Sequence, residues 1–184
     1  MHSRPAAPAK ADKTGRSIVQ TDPRQGPAVW EGHWTSLGRD LLDSHAWRAQ
    51  SINCRRVVDR ILLEHIGHGG LTNGALAVTH DDSKRHGVRA NSVLPAIEEA
   101  IALGLIRRVR EGQRAWGAFK GRAALFGLTW FGMVDGRPPS NDWKRFGSLE
   151  EAEQAAKNAR QRVEESASIR PARRNRLNPV PTAA

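Results

Sequence analysis

Apolar side chains recur at helical spacing in the middle of the chain, between Trp34 and Phe131. The strongest pattern begins at Ser51 or Asn53 and ends at Gly67. A stripe of this kind predicts a helix that buries one side in a core. Its buried face would comprise Cys54, Val57, Val58, Ile61, Leu62, His65 and Ile66. A weaker pattern before it predicts a short covering turn capped by Ser44 and formed by Leu37, Leu41, Leu42 and Trp47.

Two further helices are predicted close together. Thr79 followed by Asp82 is a capping pattern that starts a short helix, and Gly87 ends it because glycine adopts left-handed backbone angles at little cost. The next helix begins at Asn91 or Ser92, since Pro95 is tolerated only in the first turn. It ends at Gly104 and would bury Val93, Leu94, Ile97, Ala100 and Ile101. Helix, short turn and helix together predict a helix-turn-helix motif.

The short helix departs from the usual pattern at Ser83 and Lys84, where an apolar side chain is expected. We therefore expect it to depend on Val78 and Val88 on either side and to be marginally stable.

Strand composition follows the second motif helix. Residues 105–110 and 125–131 predict the two arms of a hairpin joined by a basic, glycine-containing stretch, and residues 76–78 predict a further short strand. Three helices followed by a hairpin predict a mainly helical α+β fold, a winged helix-turn-helix domain over residues 30–134.

The flanks carry fewer apolar residues. We expect residues 1–29 to be a disordered basic arm and residues 168–184 a disordered basic tail. Between them, residues 135–167 would hold a proline-rich linker and a helix from Ser148, capped with Glu151, to about Glu165. Its candidate buried face is Leu149, Ala152, Ala156, Ala159 and Val163. Because most of these are alanines, we expect loose packing or a partner.

The 184-residue chain has a formal net charge of +10, concentrated in the arm, the tail and the hairpin. Such a field attracts polyanions, and nucleic acid is the usual one. The alternative is that the basic ends only aid solubility. One cysteine, Cys54, forms no internal disulfide, and no apolar run approaches the ~20 residues of a membrane span. We expect a reducing, aqueous compartment, the cytoplasm, and no membrane partner.

The residue pattern favours no enzyme class. No nucleophile, base and orienting group stand at recognisable spacing, and the turn from Gly67 to Gly74 lacks the lysine and serine or threonine of a phosphate-binding loop. His65 and His68 raise the question of a metal, but no further ligand stands at a recognised spacing. We expect no cofactor and no metal.

The sequence resembles small bacterial winged helix-turn-helix proteins of genomes and mobile elements, some of them relatives of plasmid replication initiators. The resemblance spans roughly residues 37–154. It is carried by the segments Ala46-Trp47-Arg48, Leu63-Glu64-His65, His68-Gly69-Gly70, Asn73-Gly74, Ala96-Ile97-Glu98-Glu99, Gly104-Leu105-Ile106, Leu128-Thr129 and Pro139-Ser140-Asn141-Asp142-Trp143-Lys144. It implies the fold more directly than a cellular role, and it also implies a bacterial, nucleoid-associated protein.

Docking of such a motif would place the start of the second helix in the major groove. Arg89, Asn91 and Ser92 would then face base edges, while Glu98 and Glu99 would face away from phosphate. Ordinary solvent exposure and helix capping are the alternative roles of Arg89 and Asn91. The candidate DNA-binding set also includes Lys84 and Arg85 of the short helix and, in the hairpin, Arg108, Arg110, Arg114, Lys120 and Arg122.

Trp116 and Phe119 lie among the hairpin cations, where aromatic rings either stack on unpaired bases or anchor the hairpin on the core. The leading hypothesis is sequence-specific binding of double-stranded DNA, by a transcriptional regulator or a replication or maintenance factor of a mobile element. The alternative is a protein-interaction adaptor that uses the same fold without recognising DNA. The oligomeric state is left open, a homodimer included.

Overall fold

The computed structural model describes residues 33–113, 117 and 120–177. The helices among these residues are α1 (Arg39–Leu42), α2 (His45–Arg48), α3 (Ile52–Gly67), α4 (His80–Arg85), α5 (Val93–Ala102) and α6 (Leu149–Leu177). The strands are β1 (Leu76–Ala77), β2 (Ile106–Arg110) and β3 (Leu125–Leu128). Two 3₁₀ turns span Ala90–Ser92 and Asp142–Arg145. The predicted mainly helical α+β class is confirmed; the predicted arm over residues 1–29 lies outside the described residues.

Side-chain caps start the early helices where the sequence predicted them. The Ser44 hydroxyl accepts a hydrogen bond from the Trp47 amide at 3.1 Å, and that of Ser51 from the Cys54 amide at 3.2 Å. Thr79 and Asp82 form a full capping box at the start of α4. Each cap satisfies an amide that the helix leaves without a carbonyl partner.

The helix α5 begins without a side-chain cap. The Ala90–Ser92 turn leads into it from Arg89, and Ser92, the residue before the helix, makes no capping hydrogen bond. The predicted start of α5 at Asn91 or Ser92 is therefore correct, but neither side chain caps the helix with a hydrogen bond. Pro95 lies in the first turn, as predicted.

Gly104 ends α5 with a left-handed residue at φ +70°. Its amide donates to the Ile101 carbonyl and the Leu105 amide to the Ala100 carbonyl, which is a Schellman ending. A side chain at Gly104 would place its Cβ 2.6 Å from the Asp142 carbonyl carbon. Glycine therefore allows the Asp142–Arg145 turn to pack directly on the end of α5.

The short helix α4 docks differently from the expectation. Val78 and Val88 are buried on either side, as predicted, but Ser83 is itself almost fully buried. Its hydroxyl donates to the Thr79 carbonyl at 3.3 Å, which removes the cost of burying it. Lys84 stays exposed. A small, hydrogen-bonded serine thus fills the position where an apolar residue was expected.

The three strands form one antiparallel sheet in the order β1-β3-β2. Leu76 pairs with Phe126 and Ile106 with Leu128, and a bulge interrupts β2 between Arg108 and Arg110. The strand β3 ends at Leu128, earlier than the predicted residue 131, because the chain turns at Thr129.

The predicted face of α6 is confirmed for Ala152, Ala156 and Ala159, which are buried. The expectation of loose packing or a separate partner is wrong, since α6 packs along α5 and against α2 of the same chain. Alanines permit this because small side chains let two helices approach closely. The helix also continues to Leu177, past the predicted end near Glu165.

Candidate nucleic-acid interface

The turn between α4 and α5 displays Arg89 and Asn91 at the surface. The buried Val88 anchors the turn, and the Ser92 amide donates to the Arg89 carbonyl at 2.8 Å. Within the described part of the chain, the Arg89 guanidinium has no hydrogen bond or ion pair. Asn91 caps no helix, and its Oδ1 accepts only a long contact, 3.4 Å, from the Ser92 hydroxyl. Both side chains are therefore available to a ligand.

Lys84 and Arg85 are paired with acids of their own helix. The Lys84 amine lies 2.5 Å from Asp81 and the Arg85 guanidinium 2.6 Å from Asp82. Hydrogen bonds from the Thr79 side chain and amide, then from Arg85, lower the pKa of Asp82 from 3.8 to about 2. At neutral pH the charges of α4 thus largely cancel, which makes Lys84 and Arg85 weaker candidates than the sequence indicated.

The hairpin presents exposed cations at Arg110, Lys120 and Arg122. Arg110 donates to the Ala123 carbonyl across the two arms at 3.2 Å. Beyond β2 and β3, Gln113 and Arg122 exchange two backbone hydrogen bonds of 2.8 Å that extend the pairing toward the tip. Arg114, Trp116 and Phe119 lie outside the described residues, so the predictions for them stay open.

Arg108 has a different environment from the other hairpin cations. Its guanidinium binds Glu98 of α5 and, at 3.0 Å, Glu111 at the end of β2, and only 21 % of its side chain is exposed. Two carboxylates at a largely covered guanidinium leave it little capacity for phosphate. Arg108 is therefore a weaker candidate for a phosphate contact than the sequence indicated, and its ion pair with Glu98 joins the hairpin to α5.

A cleft of about 870 Å³ separates the hairpin from the start of α4. Lys120 and Arg122 line one side, and His80 and Asp81 the other. Leu94 of α5 lies in the same cleft, one helical turn after Asn91. The hairpin cations therefore lie across this cleft from the start of α4, along the side of α5 that carries Leu94.

Glu99 is fully buried beneath α6. Its carboxylate accepts from the Ser51 amide at 2.7 Å and the Ser51 hydroxyl at 2.8 Å, and it lies 2.9 Å from the Arg160 guanidinium. The sequence predicted only that Glu99 faces away from phosphate. In the structure its carboxylate joins the start of α3 and the middle of α6 to α5. Ser51 and Arg160 are distant from Glu99 in the sequence, so no local pattern of residues could indicate these contacts.

The same helix α6 covers the side of α5 opposite the core. At 100° per residue that outward side carries Leu94, Pro95, Glu98 and Ala102. Val163 of α6 lines two grooves, one on each side of it. Leu94 and Ala102 line the first groove, and Pro95 lines the second. Val163 therefore lies over the outward stripe. Alanine spacing in α6 was visible in the sequence, but the helix it would pack against was not.

Comparisons with family models, curated proteins and solved structures found no match. Among the described residues no helix is long and apolar enough to cross a membrane. In the same part of the chain no group of three or more potential ligands could hold a metal.

The two histidines that raised the question of a metal have other contacts. The His65 ring stacks on the Phe131 ring at 4.6 Å between centroids, and burial lowers the pKa of His65. The His68 ring lies 3.2 Å from the Glu64 carboxylate.

Proposed function

We propose that this protein binds double-stranded DNA through the α4–α5 turn and the hairpin. The observation that carries the proposal is the exposed Arg89, which has no hydrogen bond or ion pair among the described residues and lies next to the exposed Asn91 at the start of α5. Arginine offers two parallel donors to guanine, and asparagine pairs in the same bidentate way with adenine. Among the described residues, the Arg89 guanidinium has no partner that a base would displace, and Asn91 has only the long contact with Ser92.

The order of elements supports a winged helix as the architecture. In that assignment α3, α4 and α5 are the three helices, α4 and α5 form the helix-turn-helix, and β2 with β3 form the wing. The β1 strand pairs with β3 and closes the sheet. The kinship with plasmid replication initiators, and the choice between a transcriptional regulator and a replication or maintenance factor, remain predictions.

The contacts divide by type. Arg89 and Asn91 read bases, with Ser92 beside them, while Arg110, Lys120 and Arg122 contact phosphate. Phosphate contacts position the protein on the duplex and add affinity with little sequence information. Base contacts supply the discrimination.

The test is the variant Arg89→Ala, titrated against a duplex selected from a random library and against a scrambled duplex. We expect a loss of ~1 to 3 kcal/mol on the selected duplex and almost none on the scrambled one, because a base contact discriminates. Arg39→Ala is the matched control, since it removes one exposed cation from α1. Equal losses of Arg89→Ala on both duplexes would assign Arg89 to the backbone instead.

The adaptor hypothesis has one observation in its favour. An open groove of about 470 Å³ between α5 and α6 is lined by apolar side chains, including Leu94, Ile101 and Val163. A gel shift across salt concentrations separates the two functions. Binding that weakens steeply with salt supports DNA, and absence of binding to any duplex at low salt supports the adaptor.

A further inference from the structure

A winged helix inserts the outward side of its recognition helix into the major groove, and in this structure α6 lies over part of that side of α5. Val163 lies over the stripe of Leu94 and Pro95, and Ala167 reaches the neighbourhood of Asn91. The helix α6 thus runs from the end of α5 toward its start and then continues to Leu177. At 1.5 Å per residue, its last ten residues add about 15 Å to its length.

Two halves of α6 are held by different contacts. Ala152 and Ala156 in the first half belong to the main hydrophobic core, together with Trp47 and Trp143. The second half contacts α5 through Ala159, Val163 and the ion pair of Arg160 with Glu99. Beside this second contact lies the open groove of about 470 Å³. The first half is therefore part of the core, whereas the second half packs on α5, so that separation of the second half would leave the first half in place.

We propose that duplex DNA and the second half of α6, from Ala159 onward, compete for the outward face of α5. This inference rests on the proposed function. Both occupants need the outward side of α5 at Leu94 and Pro95, because a helix inserted in a major groove leaves no room for a second helix on its outward side. The sequence from Ser166 to Leu177 has four arginines and no acidic residue, so a polyanion that displaces α6 also attracts the segment it displaces.

The variant Ala159→Glu separates competition from simple electrostatics. Release of α6 would raise the affinity for DNA, whereas an added negative charge would lower it. The added carboxylate by itself weakens DNA binding. It also does not fit the buried position of Ala159 against α5, so it releases the second half of α6. Gln161→Glu is the matched control, since it adds the same charge at an exposed position of α6.

We expect Ala159→Glu to bind the selected duplex more tightly than wild type and Gln161→Glu to bind it slightly less tightly. If the covered state exceeds the open one about tenfold, release tightens the apparent affinity by about tenfold. Near-ultraviolet circular dichroism confirms that each variant is folded. An Ala159→Glu protein that is folded and binds no more tightly than Gln161→Glu overturns the competition.

A second measurement needs no variant. Backbone amides of residues 160–168 should exchange hydrogen faster in the wild-type complex with the selected duplex than in the free protein. Equal or slower exchange in the complex overturns the competition, yet leaves the proposed function standing because the duplex is bound. Absence of duplex binding by wild type at low salt overturns both proposals together.

Discussion

Asn73 shows how one buried side chain holds two distant segments together. Its amide group lies 2.9 Å from the Leu128 carbonyl, 3.0 Å from that of Phe131 and 3.2 Å from that of Gly132. Its carbonyl oxygen accepts from the Leu128 amide at 2.7 Å. The loop after α3 is thereby fixed to the end of β3, where the chain leaves the sheet.

We predict that Asn73→Asp lowers the free energy of unfolding by at least about 3 kcal/mol. The change keeps the shape but replaces the amide donor with a carboxylate oxygen opposite three carbonyl oxygens. Urea unfolding at neutral pH measures the effect. Asn158→Asp, on the exposed side of α6, is the control and should stay within about 0.5 kcal/mol of wild type. A similar small effect for Asn73→Asp would contradict the assigned hydrogen bonds.

At the scale of an element, α4 depends on its capping carboxylate more than on apolar contacts. The helix has six residues, and only Ser83 among them is buried. Asp82 accepts hydrogen bonds from the Thr79 amide at 2.9 Å and the Thr79 hydroxyl at 2.6 Å. The capping box therefore sets the geometry of the segment that leads into Arg89.

The lowered pKa of Asp82 gives a pH-dependent prediction. Because the pKa falls from 3.8 to about 2 on folding, the carboxylate stabilises the folded state above pH 3.8, and this contribution disappears as the pH falls toward 2. Asp82→Asn should therefore be less stable than wild type at pH 6, with a difference that shrinks between pH 4 and pH 2. Denaturant unfolding across this range measures it.

Asp81→Asn is the control for the capping effect. Asp81 also has a lowered pKa, through its hydrogen bond and charge interaction with Lys84, but it is exposed and caps no amide. Its replacement should change stability less than that of Asp82. A pH-independent difference between Asp82→Asn and wild type would show that the carboxylate charge does not matter.

Local signals predicted the elements well, and non-local contacts account for what they missed. The caps at Ser51 and Thr79 and the glycines at 87 and 104 are set by neighbours within a few residues, so they are readable from the sequence. The pairing of Glu98 with Arg108 and of Glu99 with Ser51 and Arg160 depends on the fold. For this reason the structural role of Arg108 and the covered face of α5 could not be predicted.

At the scale of the whole molecule, the charge of the hairpin should act on every duplex alike. We predict that changing Arg110 and Lys120 together to Ala weakens binding to the selected and scrambled duplexes similarly. The slope of log affinity against log salt should fall by nearly two units, at about 0.9 per lost phosphate contact. The double variant of Arg39 and Lys157 to Ala is the control, and it removes the same charge from α1 and α6. Unchanged slopes in the hairpin variant would show that the hairpin does not contact phosphate.

The buried polar contacts of Asn73 and Glu99 also bear on how the chain reaches this fold. Glu99 meets Ser51 across 48 residues, and Asn73 meets Leu128 across 55. Closing loops of this length costs conformational entropy before the contacts form, which slows folding relative to a bundle held by neighbours in sequence. The helix α3 can form early because its contacts are local. The sheet forms only after β2 and β3 have paired, and the Asn73 hydrogen bonds then stabilise it. The refolding rate of this small, mainly helical protein should accordingly be set by the pairing of the short strands β1, β2 and β3.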